Sequence, residues 1–193
     1  MAKFRYFESL EELSDSAVRA VRISCKSKGC TEKDKNELSS IRLSADKCVC
    51  ELEDALFADF LPPLERDGIA ACAHCLSRVI DRASDLAAST VRLPLSYSEK
   101  GDEEQRICIK LSEQLHEDIA LLKKIRKPSE MPSHRAFRAL LAKGRAAHFD
   151  AMSKISTGSL PRGFANSVIL CAKLRTELAR SYDELVEIML NNI

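Results

Sequence analysis

The chain has no tryptophan, only 5% aromatic residues, and six glycines and six prolines in 193 positions. So few chain-turning residues argue against a fold of many short strands and tight turns. What remains, rich in Ala, Leu, Glu, Lys and Arg, is helical composition. Charge of one sign is also missing. Thirty basic residues face 29 acidic ones, for a formal net charge of +1, and a dedicated nucleic-acid binder carries a clear basic excess. No run approaches the roughly 18 consecutive apolar residues of a membrane span. The opening MAKFRYFESLEELSDS places acids where a secretory leader has its apolar core. A cytoplasmic, non-inserted protein is expected. Its eight cysteines are then not an extracellular disulfide framework.

Against these absences stands a strong periodicity. Leu38, Ile41, Ala45, Cys48, Leu52, Leu56 and Phe60 recur in steps of three and four and share one helical stripe. Leu61-Pro62-Pro63 interrupts it, because proline lacks the N–H donor and pushes the preceding residue out of the helical region. A second stripe follows with Ile69, Cys72, Leu76, Val79, Ala83 and Leu86. Two amphipathic helices joined by so short a break fold back as an antiparallel hairpin.

The remainder repeats the pattern. A first helix is predicted from Ser9 to Ser24, with Gly29 as its C-cap, and Thr31 with Asp34 capping the second. The hairpin helices run to Phe60 and from Glu65 to Thr90. A fourth helix spans Asp102 to Arg126, a fifth starts at an N-cap Ser133, and a sixth carries Phe164, Val168, Cys171, Leu174, Leu178, Leu185 and Met189. The expectation is an all-α, elongated six-helix antiparallel bundle. It forms a single helical domain over residues 1–193, with two three-helix halves meeting near residues 92–101.

Three features bear on chemistry. Cys72-Ala-His-Cys75 has cysteines one helical turn apart, which suits zinc, but no second Cys-x-x-Cys completes four ligands. Cys48 and Cys50 point about 160° apart on a helix, and Cys48, Cys72 and Cys171 lie on apolar stripes where a thiol acts as a small hydrophobe. Asp46, Asp67, Asp81 and Asp85 could supply carboxylates to a metal cluster inside a bundle; the bland alternative is a solvated helix face, and Asp67 has a sufficient reason in the helix dipole. Gly144 and His148 fall on the apolar stripe of the fifth helix, where a lone histidine is more often a satisfied buried one than a ligand. No glycine-rich phosphate loop, nucleophile elbow or His-Glu-x-x-His occurs, so no enzyme signature is present.

The segments Pro63-Leu64-Glu65-Arg66-Asp67-Gly68-Ile69 and Leu76-Ser77-Arg78-Val79-Ile80-Asp81 resemble the "PxDREDI" and "LDDVxD" stretches of the PhoU-like phosphate transport regulators, the Pit accessory proteins. Ser44-Ala45-Asp46 falls near that family's "HEAD"-like acidic stretch. The resemblance covers residues 35–90. It implies two three-helix bundles, no catalysis, and protein partners among phosphate transporters or their regulators, with a place beside an inner-membrane transporter. It also implies metal binding through pairs of acids one helical turn apart. This chain keeps Asp46 and Asp81 but has Arg42 and Ser77 at the partner positions, and Arg145 and Ala147 stand near where further acids belong. A cation in place of a carboxylate opposes metal binding, so a degenerate site resting on Asp46 and Asp81 is expected. No cofactor is expected beyond a divalent or transition-metal ion at that site. Two alternatives stay open: a Zn-, Fe- or Ni-binding bundle, and a plain helical scaffold that self-associates as a homo-oligomer.

Overall fold

A computed structural model describes residues 5–26, 29–60, 62–90, 102–124 and 134–191. Among them there is no strand. Six helices occur: α1 (Tyr6–Ser24), α2 (Glu32–Ala58), α3 (Arg66–Thr90), α4 (Asp102–Ala120), α5 (His134–Ser156) and α6 (Ala165–Asn191), with a 3-10 turn at Arg162–Phe164 before α6. The chain is an all-α bundle, as its composition and periodicity imply.

The width of each apolar stripe decides where its helix sits. On α2 the buried apolar positions are Leu38, Ile41, Ala45, Val49, Leu52 and Leu56, a single narrow row. Among the described residues that helix touches α1 and α3. On α5 the row is Phe137, Leu141, Gly144 and Ile155, and among the described residues the helix packs on α4, α6 and the 3-10 turn. The other four helices bury wider faces and form the centre. In α3, Ile69, Cys72, Leu76, Val79, Ala83 and Leu86 are all fully buried, and so is a second row, Ala73, Ile80 and Ala87. Two rows serve three neighbours, α1, α2 and α6. The α3–α6 contact is the most extensive in the molecule, and α1 packs on α4. Each fully buried Leu or Ile in this centre contributes about 1.5–3 kcal/mol of transfer free energy.

Polar side chains tie the helices at selected points. The Ser14 hydroxyl on α1 meets Nδ1 of His116 on α4 at 2.8 Å. Tyr182 of α6 stacks on Phe137 of α5 with ring centroids 3.8 Å apart, and its hydroxyl lies 3.2 Å from Nδ1 of His134.

Helix ends differ in places from the sequence expectation. Thr31 caps α2 in a reciprocal box with Asp34, as the spacing predicts. Gly29 is not the C-cap of α1: the helix ends at Ser24 with Cys25 as cap. Gly29, with φ +76°, instead supplies the left-handed residue of the turn that follows. The second helix stops at Ala58, so Phe60 leaves the stripe and is 87% exposed. The fourth helix stops at Ala120 and continues as turns through Lys124. Leu61, the 92–101 loop, Arg126 and Ser133 lie outside the described residues.

Candidate functional site

The α2–α3 turn is built by side chains from three helices. The Arg66 guanidinium, at the start of α3, donates to the carbonyls of Leu56 and Asp59 and, at 3.2 Å, to that of Phe60. These carbonyls belong to the end of α2 and have no helical partner of their own. From α1 the Tyr6 hydroxyl donates to the Ala55 carbonyl at 3.0 Å and to Asp59 Oδ2 at 3.3 Å. One residue pair on, Gly68 admits α6, since a Cβ there would lie 2.8 Å from Cγ1 of Ile188. The Pro63–Ile69 motif therefore has a structural content: an arginine that closes one helix while opening the next.

The carboxylates predicted to hold metal do not form a centre. Asp81 on α3 is bound by Nε of Arg42 from α2 at 2.9 Å, so its charge is met by a cation. Asp46 is exposed on α2 and Ser77 is half-buried. Asp67 and Asp85 are exposed, and Asp85 accepts from Arg82 at 3.0 Å. In the second half Arg145 is exposed and Ala147 half-buried. Among the described residues no three His, Cys, Asp or Glu side chains converge as metal ligands. The side chains present do not fit a carboxylate metal cluster.

The cysteine motif also divides. Cys72 and Cys75 are buried in the core, and burial pushes both thiols up, away from the thiolate that metal or redox chemistry needs. His74 turns outward to Oε1 of Glu53 on α2, at 2.9 Å. Burial likewise raises the Cys48 thiol to about 11.

The groups that the structure does bring together lie between α3, α4, α5 and α6. Arg175 of α6 donates from Nη1 to Oε1 of Glu104 on α4 at 2.8 Å, with both side chains at or below 10% exposure. Gly144 on α5 makes the room: a Cβ there would lie 2.6 Å from Cδ of Arg175. His148, one turn further along α5, places Nδ1 3.7 Å from Glu104 Oε2, and among the described residues that buried nitrogen has no hydrogen-bond partner. Burial raises the Glu104 carboxyl to about 7, against the pull of Arg175. Burial, then the Arg175 charge, lowers His148.

Beside this group opens a cavity of about 390 Å³, lined by Arg82 of α3, His148 of α5 and Ile169, Ala172, Lys173, Thr176, Glu177 and Arg180 of α6. Glu177 is 7% exposed and holds two guanidiniums, Arg180 at 3.1 Å and Arg78 at 3.3 Å. Sequence reasoning noticed Gly144 and His148 but missed Glu104, Arg175 and Glu177. A signal was available: Glu104 precedes Cys108 by four residues and Arg175 follows Cys171 by four, so both interrupt apolar rows with charge.

No known protein family matches the chain by sequence, and no curated protein does. Solved structures match its fold. A PhoU-like protein from Shewanella oneidensis MR-1 superposes with a TM-score of 0.70 over 95% of this chain and 97% of its own, at 12% identity. A PhoU-like phosphate regulatory protein from the same organism gives 0.63 over 95% and 96%, at 14% identity. At such identity the likeness establishes the fold: a PhoU-like arrangement of six helices.

Proposed function

We propose, with the PhoU-like fold as premise, that this protein is a non-enzymatic regulator of inorganic phosphate transport that acts in the cytoplasm through protein–protein contacts. The observation that carries the reading is the fold likeness, over 95% of the chain, to a protein described as a phosphate regulatory one. Among the described residues no helix is long and apolar enough to cross a membrane, which is compatible with a partner beside a transporter. In this reading Asp46 and Asp81 are remnants of a carboxylate site, and Arg42 supplies internally the positive charge that a metal ion would bring. Phe57 and Phe60, 88% and 87% exposed at the end of α2, provide apolar anchors of the kind that dominate protein interfaces.

The test is phosphate uptake in the native cell. Deleting the chain should change the uptake of labelled orthophosphate between replete and limiting medium, and the wild-type chain should restore it. A Phe57→Ser/Phe60→Ser variant should fold and fail to restore it. Unchanged uptake in both media, with no phosphate transporter or transport regulator in the purified complex, would remove the reading.

A further inference from the structure

The cavity between α3, α5 and α6 does not belong to the degenerate carboxylate site, and its lining has its own chemistry. A solvated helix face interleaves the two signs of charge. This cavity instead presents Arg82, Lys173 and Arg180 against one lining acid, Glu177; Arg82 is also held at 3.0 Å by Asp85 from outside the lining, and Glu177 is buried beneath the guanidiniums of Arg78 and Arg180. One carboxylate shared by two arginines leaves a net positive charge. A guanidinium has five donors in a rigid fork, and the contact with Glu177 uses one donor of each arginine, Nη1 of Arg180 and Nε of Arg78. Among the described residues Lys173 has no ion-pair partner and is exposed at the rim. His148 adds a ring to the wall. At about 390 Å³ the space lies within the roughly 300–1,000 Å³ of pockets that take small organic ligands.

We infer that this cavity binds a small phosphate-bearing anion. A phosphoryl group carries close to two negative charges and accepts hydrogen bonds on three oxygens. Its three acceptors suit several cationic donors, which α3 and α6 supply in Arg82, Lys173 and Arg180. A single carboxylate brings one charge and two oxygens, too little for Arg82, Lys173 and Arg180 together. The phosphoryl group can belong to orthophosphate, to a short polyphosphate or to a nucleotide. The inference is independent of the regulatory reading, since it rests on this cavity alone.

Calorimetric titration of the full chain at fixed ionic strength, with orthophosphate, pyrophosphate, ATP and citrate, tests it. At least one phosphate-bearing probe should bind, and which one binds tightest identifies the source of the group. Arg82→Ala/Lys173→Ala should weaken that binding by about tenfold or more, with the helical melting curve retained. Lys173→Glu, which changes only an exposed side chain, should do the same and guards against misfolding of the double variant. Lys33→Ala/Lys47→Ala, which removes two exposed charges from α2, should leave affinity within about twofold, the scatter expected of a distant surface change. No binding by any of the three phosphate probes overturns the inference. So does equal weakening by the α2 control, or citrate binding as tightly as the best phosphate.

Discussion

Arg66 owes its place to geometry that only a guanidinium satisfies. Its fork reaches carbonyls of Leu56, Asp59 and Phe60, three acceptors at the end of a 27-residue helix. Arg66→Met keeps most of the apolar stem and leaves those acceptors without their donor. The expected loss is about 2 kcal/mol, within the range for hydrogen bonds to a charged group, read as a lower urea midpoint with an unchanged slope. Arg66→Lys should recover little, because a single ammonium cannot span the three. Arg42 acts in the opposite sense, by occupying Asp81 at 2.9 Å. Untagged protein purified without chelators is expected to carry no near-stoichiometric zinc, iron or nickel by elemental analysis. Arg42→Glu/Ser77→Glu would restore acids at i and i+4 on both α2 and α3, and that variant is expected to gain divalent-ion binding. Stoichiometric metal in the wild type would mean that the ion pair yields to it.

At the scale of elements, α4 and α6 are joined by the buried Arg175–Glu104 hydrogen bond as well as by apolar packing. Gly144→Ala would normally favour a helix by about 1 kcal/mol. Here the new methyl meets Arg175 at 2.6 Å, and Glu104 prevents that side chain from swinging away. Overpacking of about 1–3 kcal/mol should win, so a net loss of stability is expected in urea denaturation. Glu104 also makes the assembly sensitive to pH. Its carboxyl is raised from 4.5 to about 7 by burial, so between those values the folded chain holds a proton that the unfolded chain has released. Stability from this group therefore falls as pH rises through that window, on the order of 3 kcal/mol for a shift of this size. His148, lowered by burial and by Arg175, contributes the opposite slope just below its ordinary value. The readout is therefore the loss of stability between pH 5 and pH 8, which should be larger in the wild type than in Glu104→Gln. A profile identical in both proteins would count against a buried, titrating Glu104. These contacts also mark the limit of what was legible beforehand. Helix number and order follow from apolar spacing, and the box at Thr31 follows from a local pattern. The fate of Asp81 depended on the rotation of α2 against α3, and the Glu104–Arg175 pair joins positions 71 residues apart. Periodicity along one helix carries no information about which neighbour a charge will face.

Across the whole molecule, the set of helices α1–α3 and the set α4–α6 meet along wide apolar faces. The α3–α6 seam exceeds any contact within either set, and α1 adds a second bridge to α4. Leu174, Leu178 and Leu185 of α6 are fully buried, as are Leu76, Val79 and Ala83 of α3, so separating the sets would expose much of the core of both. We therefore expect residues 1–193 to unfold as one cooperative unit. The absence of tryptophan makes the test clean. Phe57→Trp on α2 and Phe149→Trp on α5 replace side chains that are 88% and 73% exposed, so each places a fluorescent reporter on a flanking helix of one set without disturbing the seam. If the unit is cooperative, urea transitions from the two reporters and from helical circular dichroism coincide in midpoint and slope. Leu178→Ala, which opens a cavity on the α6 side, should then lower both midpoints together by an amount matching about 2–5 kcal/mol. Separate transitions, or a Leu178→Ala shift confined to the α5 reporter, would mean that the sets fold independently and that the seam is a docking surface between two small bundles.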